Sequence, residues 1–501
     1  MTDIKILIYT DTKDISLAPD DPAQPATWSV SILRDILEAP VSPFLKFFVE
    51  VVNRYENPPQ PRRIDDALLA PYDQVWIFGK YQNKVDGPFD EKKFGGPDNE
   101  LDESEVGALE KWMTTHGVLI AGDHSDAPPP PLPPTQPLVL IKDFLCLGRA
   151  LGHKVPRAGE LRKWIGPPTS LADSSFNTLI QQSRKNPDSQ KDDPDSDAVP
   201  QQYLLEPFGP SRMPHPLLTG KDQDDNDTHL DLFPDHVHEG EVIVPRQLGS
   251  DWAPDAVPSK QKPRPVVIAR GCDKRHCRSR AVLAVYDPPE AVKAGRIVAD
   301  STWHHYLNIN IRGLRDSSDK SAFLLLQQYY RHVAFFLAPL EKRQEVTGVM
   351  LDWMLQHPEV WEDKGNEPTV VGKVALKYLS GVATRYEIAE MLQHVILSMA
   401  TTDADAADVR GISFPQMSAG VTPLPARELV VGYIVKSHYE EVSPRLQSDG
   451  ENVADASDIV DATRPDARAA AASGVEMAFR SHEKHLAQIG SVTRKFLKIL
   501  K

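Results

Sequence analysis

The chain has 501 residues, of which 41% are apolar and 25% are charged, and its formal net charge is −15. This composition is typical of folded globular proteins and excludes wholesale disorder, and at roughly 100–200 residues per domain the length predicts about two to four structural units. Because like charges repel, the acidic balance argues against a nucleic-acid partner and against binding to anionic membranes.

The cysteine content indicates the compartment. Three cysteines, Cys146, Cys272 and Cys277, are too few for a disulfide scaffold, so we expect a reducing, cytoplasmic location. No apolar run reaches the roughly 18 residues that a membrane span requires, and the first residues predict a strand rather than a leader peptide. Cys272 and Cys277 are expected to be free thiols on a hairpin, because no second pair of thiols completes a zinc site.

Strands and helices alternate over the first 125 residues. Short apolar runs predict buried strands at residues 4–10, 74–79 and 117–122. A helical pattern covers residues 28–55, with interruptions at Pro40 and Pro43. Asp102 predicts the start of a second, amphipathic helix. This order predicts an α/β fold with a parallel, flavodoxin-like or amidotransferase-like sheet that helices flank on both faces.

Irregular insertions follow this unit. Residues 126–137 are rich in proline and predict an extended segment, whereas residues 138–152 predict a helix. The polar residues 184–200 predict a loop, and the irregular region continues to about residue 235. Further strands are predicted at residues 241–245, 265–269, 281–286 and 296–300.

Three regions are therefore expected. An α/β domain covers residues 1–315, and a helical region covers residues 316–405, in which Phe323, Leu326 and Tyr330 have helical spacing. A small tail, residues 406–501, contains one strand and a closing helix. The helical region is the expected surface for a second copy of the chain or for a protein partner.

Three short segments concentrate side chains that can perform chemistry. They are residues 121–125 (AGDHS), residues 234–241 (PDHVHEGE) and residues 300–305 (DSTWHH). The first and the third directly follow predicted strands, and in open α/β sheets ligands bind at the carboxyl ends of the strands. We therefore expect one site at that end of the sheet.

Histidines dominate these segments and suggest a metal ion. His236 and His238 lie two residues apart, so an extended chain presents both imidazoles on one side. His304 and His124 are further candidate ligands, and three ligands plus a water would lower the pKa of that water toward ~7. The candidate metals are zinc, iron and manganese.

The remaining candidates have catalytic or binding roles. Glu239, or alternatively Glu241, is the candidate general base. Asp123 and His305 are further candidate catalytic residues. The candidate substrate-binding residues are Asp235, Trp303 and Arg157, the last of which stands near Arg162 and Lys163 and could contact an acidic group.

Plainer interpretations remain open for every candidate. The histidines could bond only to backbone carbonyls, the Trp-His-His segment could close the end of the sheet, and the basic residues near Arg157 could form a solvated helix face. The sequence contains no P-loop and no glycine-rich dinucleotide fingerprint, so no nucleotide cofactor is expected. The Gly-x-Ser-x-Gly esterase pattern is also missing.

Two segments carry a resemblance to a known superfamily. YDQVWIFG (72–79) and LDESEVGALEKWMTTHGVLIAGDHSD (101–126) resemble the class I glutamine amidotransferase-like superfamily, including its ThuA-like branch, and the resemblance covers about residues 1–315. It implies a nucleophilic cysteine in the turn after the third strand and a histidine after a late strand. Asp123 or His124 stands at the first position, and His304 or His305 stands at the second.

The departure from that pattern decides the expected reaction. Because no cysteine or serine occupies the turn position itself, glutamine amidotransfer is not expected. PDHVHEGE and DSTWHH are similar to segments that recur together in uncharacterised bacterial proteins of this fold, which supports a shared pocket.

The sequence thus predicts a metal-assisted hydrolase that acts on a small-molecule substrate. The alternative from a different class is a non-catalytic binding or assembly module whose fold has lost its nucleophile. A third possibility is acid/base chemistry by Asp123 with His304 in the absence of a metal.

Overall fold

The computed structural model describes a defined part of the chain. The described residues are 1–10, 15–20, 29–40, 42–54, 62–81, 101–125, 154–163, 200–208, 212–224, 226–234, 241–245, 252, 263–273, 278–289, 292–318, 320–357, 368–384 and 387–388. The predictions for residues 126–152, 184–199 and 406–501 lie outside them.

Fourteen strands are assigned within these residues. The strands of the amino-terminal half are β1 (Thr2–Thr10), β2 (Leu45–Asn53), β3 (Gln74–Tyr81) and β4 (Gly117–Ser125). The short strands that follow are β5 (Arg162–Lys163), β6 (Gln201–Gln202), β7 (Leu204–Leu205), β8 (Thr219–Lys221), β9 (Asp227–His229), β10 (Leu232–Phe233) and β11 (Glu241–Val242). The last three are β12 (Val266–Asp273), β13 (Arg278–Tyr286) and β14 (Ile297–Asp300).

Seven α-helices accompany these strands in the described part of the chain. They are α1 (Ser31–Glu38), α2 (Asp66–Leu69), α3 (Glu103–Trp112), α4 (Asn308–Arg315), α5 (Ser321–Leu337), α6 (Leu340–Gln356) and α7 (Pro368–Ser380). Strands and helices thus alternate in the amino-terminal part, and helices follow β14, as the α/β prediction requires.

The central sheet has eight strands in the order β2-β1-β3-β4-β14-β13-β12-β7. The first five of these strands are mutually parallel. The prediction of a parallel sheet is wrong for the remaining strands, since β13 runs antiparallel to β14, β12 antiparallel to β13, and β7 antiparallel to β12. Short connections join β12 to β13 and β13 to β14, which suits antiparallel neighbours, whereas parallel strands need a long crossover.

One predicted helix is in large part a strand. The prediction of helix over residues 28–55 is correct only for α1, because Leu45–Asn53 forms β2 and pairs with β1 along its whole length. Pro40 and Pro43 separate the two elements. The sequence LKFFVEVVN is rich in β-branched and aromatic residues, which favour a half-buried strand.

The outer side of β2 carries a specific polar contact. Because β2 is the first strand of the sheet, its outward N–H groups lie at the edge. Glu38, at the end of α1, accepts a hydrogen bond from the backbone N–H of Val49 through Oε1 at 2.9 Å. The charged side chains of Lys46 and Glu50 are exposed on the same strand.

Two apolar cores cover the two faces of the sheet. Alternate residues of β4 show the division, since Leu119 belongs to the first core and Val118 and Ile120 belong to the second. Helices α1, α5, α6 and α7 contribute to the first core, and α2 and α3 contribute to the second. The described part of the helical region therefore packs on one face of the sheet.

Helix α3 begins where the sequence predicts. Asp102 accepts from the N–H of Glu105, and the Glu105 carboxylate accepts from the N–H of Asp102, which is a complete capping box. Glu105 also accepts two hydrogen bonds from Arg54, at 2.5 and 2.8 Å, and both side chains are fully buried. This ion pair holds α3 against the chain that leaves β2.

A second buried ionic group lies at the amino end of the sheet, where its parallel strands begin. Arg296 precedes β14 and bonds Asp287 at 2.6 Å, and its guanidinium lies 3.8 Å from the carboxylate of Glu387. Glu387 is 1% exposed and accepts from the N–H of Thr384 at 2.7 Å. Burial raises the pKa of Glu387 to about 7, and Arg296 and Arg343 only partly oppose this.

We predict that Glu387→Gln changes how stability depends on pH. Between its ordinary pKa and about 7, Glu387 holds in the folded state a proton that the unfolded state releases. Its contribution to stability is therefore complete at low pH and is lost as the pH rises through 7. The free energy of unfolding in urea, measured from pH 5 to pH 8, should rise for Glu387→Gln relative to the parent as the pH increases.

The half-exposed Glu345 provides the control, since Glu345→Gln removes the same charge from a surface ion pair with Lys342. The difference in the free energy of unfolding between Glu345→Gln and the parent should stay constant from pH 5 to pH 8. A constant difference for Glu387→Gln as well would contradict the prediction.

In the described residues, no helix has the length and apolar character needed to cross a membrane.

Candidate functional site

The candidate site begins at two neighbouring strands. Strand β14 pairs in parallel with β4, in the register Ile297 with Val118, Val298 with Leu119 and Ala299 with Ile120. The carboxyl ends of both strands therefore lie side by side, and we call this end the carboxyl end of the sheet. Two of the three predicted segments, residues 121–125 and 300–305, lie there together.

Strand β4 continues beyond its predicted end. The predicted strand ended at residue 122, with a turn after it, whereas β4 extends to Ser125 and pairs with β3 as far as Tyr81. The register of this pairing shifts at Asp123, because Gly122 pairs with Gly79 and His124 pairs with Lys80. An extra residue of this kind bends a strand and often occurs next to functional sites.

Asp300 and His305 form the centre of a buried polar network. The Nδ1 atom of His305 lies 2.8 Å from Oδ2 of Asp300, and both side chains are fully buried. The other ring nitrogen of His305, Nε2, lies 2.9 Å from the hydroxyl of Tyr203. Both ring nitrogens of His305 are thus bonded within the protein, so this side chain is held rigidly.

Tyrosines surround the pair. Tyr306 donates to Oδ2 of Asp300 at 3.1 Å, and Tyr330 donates to the backbone oxygen of His305. Burial raises the pKa of Tyr306, Tyr329 and Tyr330 well above the usual range for tyrosine. The hydroxyls of Tyr306 and Tyr330 therefore stay protonated and act as hydrogen-bond donors to the carboxylate and to the carbonyl, respectively.

His304 has a different partner from His305. Its Nδ1 atom lies 3.1 Å from Oδ1 of Asn310, and both residues are fully buried. Its backbone N–H donates to the Thr302 hydroxyl at 3.2 Å. Residues 304–306 form a short 3-10 turn after β14, which directs the two consecutive imidazoles to different partners.

The third segment begins beside this network. Phe233 packs on the His305 ring, with 4.9 Å between ring centroids, and it also contacts Tyr203 and Tyr329. Phe233 belongs to the first core, whereas Val242 belongs to the second. Phe233, which precedes residues 235–240, and Val242, which follows them, therefore lie on opposite faces of the sheet.

The predicted site residues lie in different parts of the structure. Asp123 and His124 lie in β4 at the carboxyl end of the sheet. Trp303 is fully buried and packs edge-on against His304, with 5.8 Å between the ring centroids. Glu241 lies in β11, paired with Lys163. The residues Asp235, His236, His238 and Glu239 lie outside the described residues.

Arg157 is not brought to the other candidates. Its guanidinium donates at 3.1 Å to the backbone oxygen of Met113, which lies between the end of α3 and the start of β4, and its side chain is buried. It thus lies at the amino end of the sheet, whereas His304 lies at the carboxyl end. Its φ of 61° is in the left-handed region, which is uncommon for a residue other than glycine.

The partners of the two histidines are not predicted from the sequence. Tyr203 is 102 residues away from His305 and lies in a region without a periodic pattern, so no local signal indicates it. Asn310 follows His304 by six residues. The polar Asn310 within the stretch YLNINI is a signal that could have indicated a buried hydrogen bond.

The described residues alone do not provide the ligands of a metal site. Within the described residues, no three His, Cys, Asp or Glu side chains converge as metal ligands. A histidine such as His304 binds a metal through an unprotonated ring nitrogen. Further ligands would have to come from residues 235–240 and from His124.

Comparisons with known proteins give no relative for this chain. No protein-family model matches it, and neither the curated proteins nor the solved structures include a match.

We predict that Tyr203→Phe destabilises the fold by about 1–3 kcal/mol, because it leaves the buried Nε2 of His305 without its hydrogen bond. Urea unfolding at neutral pH measures this loss. Tyr378→Phe is the matched control, since it removes the same hydroxyl from a half-buried tyrosine that packs on Trp353. Its effect should stay within about 0.5 kcal/mol, as is usual for sites without such features. Equal losses in the two variants would contradict a specific role for the Tyr203 hydroxyl.

Proposed function

We propose that the chain is a metal-assisted hydrolase whose site lies at the carboxyl end of the sheet. Its five parallel strands follow the order β2-β1-β3-β4-β14, which is the order of flavodoxin-like sheets, with β14 as the fifth strand. This order and the segments around residues 72–79 and 101–126 support a fold of the class I glutamine amidotransferase-like, ThuA-like type.

A single observation carries the proposal. Residues 123–124 continue β4 and residues 300–305 follow Ala299, at the end where β4 and β14 pair side by side, and Phe233, which directly precedes the PDHVHEGE segment, packs on His305. All three segments that are rich in histidine and carboxylate thus start from one end of the sheet, although they are far apart in the chain.

The proposed ligands are His236, His238 and His304, with His124 as a further candidate. A bound divalent ion such as zinc, iron or manganese would supply an activated water at neutral pH. Asp123 or Glu239 would accept the proton of that water, and Asp235 and Trp303 would contact a small substrate with an ester, amide or phosphoester bond.

Two residues receive roles that differ from the sequence prediction. His305 is proposed as a supporting residue rather than a catalytic one, because Asp300 and Tyr203 bond both of its ring nitrogens. Arg157 is left out of the site because it lies at the other end of the sheet. The small number of cysteines supports a cytoplasmic location.

Elemental analysis of the protein, purified without an affinity tag, tests the proposal. We expect stoichiometric zinc, iron or manganese in the parent and its loss in the double variant His236→Ala/His238→Ala. A chelator should lower the melting temperature of the parent, because an ion that binds only the folded state stabilises it. A screen of esters, amides and phosphoesters should show turnover that depends on the metal.

The matched control is the double variant His116→Ala/His357→Ala. Both of these half-buried histidines stack on tryptophans, at 4.3 and 4.8 Å between ring centroids. This variant should keep its metal. A metal-free parent whose melting temperature does not respond to chelator would refute metal-assisted hydrolysis.

A second function is a non-catalytic binding or assembly module. The observation that favours it is the full burial of Trp303, His304 and His305, which are 0% exposed. In this interpretation the network only fixes the end of the sheet, and α6 and α7 bind a second copy or a protein partner. A metal-free, inactive protein that is dimeric in solution would select this function.

A further inference from the structure

Strand β2 lies at the border of the central sheet. Among the strands that the structure describes, β1 alone pairs with it, along all nine of its residues. The backbone groups on its other side point away from the sheet, where a further strand can pair with them. We call this side of residues 45–53 the β2 edge.

Alternation along the strand determines which backbone groups point outward. The N–H of Thr2 in β1 donates to the backbone oxygen of Phe44, so Phe44 and every second residue after it direct their backbone groups toward β1. The N–H of Val49 belongs to the other set, and it donates to the Glu38 carboxylate. Phe47 and Val49 thus present their N–H and C=O groups on the outer side.

Three side chains of β2 share one face of the sheet. Lys46, Phe48 and Glu50 alternate with residues of the first core, so they point to the other face. Lys46 and Glu50 are exposed, and Phe48 is half-buried, with the Lys46 ammonium 4.4 Å from its ring centroid. The two opposite charges therefore stand on either side of Phe48, two residues from it in each direction.

This spacing of charges is self-complementary. In an antiparallel pair with Phe48 of one chain opposite Phe48 of a second copy, Lys46 of each chain lies opposite Glu50 of the other. A two-fold axis relates the two strands of such a pair, and two-fold symmetry is the commonest symmetry of homodimers. A parallel pair in the same register would place like charges opposite each other.

The backbone fits the same arrangement. With Phe48 at the axis, Phe47 lies opposite Val49 of the second copy, and their outward groups form a hydrogen-bonded pair. The pairs of Phe48 with Phe48 and of Lys46 with Glu50 are then the non-hydrogen-bonded ones, in which side chains lie closer together. The N–H of Val49 exchanges the Glu38 carboxylate for a backbone oxygen of the second copy.

We propose that the β2 edge is the interface of a homodimer, in which two copies of β2 pair antiparallel about Phe48 and join the two sheets into one. The partner is a second copy of this chain because the charge pattern complements itself. A single pair of strands buries less surface than a standard interface, so the dimer dissociates reversibly. This inference does not depend on the proposed function.

Sedimentation equilibrium of the full chain over a concentration series tests the dimer. We expect a monomer–dimer equilibrium in the parent. Lys46→Glu places two pairs of like charges across the interface and should raise Kd about tenfold, while the hydrogen bond from Tyr72 to Glu50 stays in place. Glu50→Lys should raise Kd similarly, and the double variant Lys46→Glu/Glu50→Lys should return it to near the parent value.

A mixture of the two single variants tests the register directly. At positions 46 and 50, Lys46→Glu has only negative charges and Glu50→Lys has only positive ones. An equimolar mixture should therefore form a heterodimer more tightly than either variant forms a homodimer, and salt should weaken it because the charges are exposed. Glu38→Ala should tighten the parent dimer, since it makes the N–H of Val49 available.

The matched control is Lys373→Glu, which reverses one exposed charge on α7 and should leave Kd unchanged. A parent that stays monomeric at every concentration would overturn the proposal. A dimer that resists both single variants at the β2 edge would also overturn it, and its loss in Lys373→Glu would place the interface on the helical region instead. Recovery of the dimer in the double variant and in the mixture would exclude misfolding as the cause of the single-variant effects.

Discussion

The parallel pairing of β14 with β4 is the contact on which the rest of the site depends. These two strands are far apart in the sequence, yet Ile297–Ala299 lies in register with Val118–Ile120. Both strands are buried on both faces, with Val298 and Leu119 in the first core and Ile297 and Val118 in the second. The apolar packing on two faces thus determines where the polar ends of these two strands meet.

The buried network around Asp300 shows how polar groups can be held at that position. The carboxylate accepts from the N–H of Thr302, from His305 and from the Tyr306 hydroxyl. Leaving one of these polar groups unsatisfied at this depth would cost more free energy than its hydrogen bond contributes. Because this network is rigid, His304 and His305 each have fixed surroundings, and these surroundings differ. The two histidines can therefore have different roles.

Much of the fold can be predicted from sequence patterns, and particular residues show which features cannot be predicted in this way. The sequence predicts the buried strands β1, β3 and β4 and the helix start at Asp102, because apolar runs and caps are local signals. It predicts helix where β2 lies, since the identity of this strand depends on its pairing with β1. The antiparallel direction of β13 was not predicted because an apolar run has no direction. At the site, the histidine segments were visible, whereas Tyr203 was not, since only the tertiary fold brings it to His305.

The hydrogen bond from the N–H of Val49 to the carboxylate of Glu38 affects how molecules of this protein can associate. Strand β2 offers nine residues of backbone at the border of the sheet, and such a border is a template for another chain. An incoming strand would have to displace this carboxylate and lie beside Lys46 and Glu50. Helix α1 thus supplies a carboxylate that occupies one of the backbone N–H groups which an added strand would need.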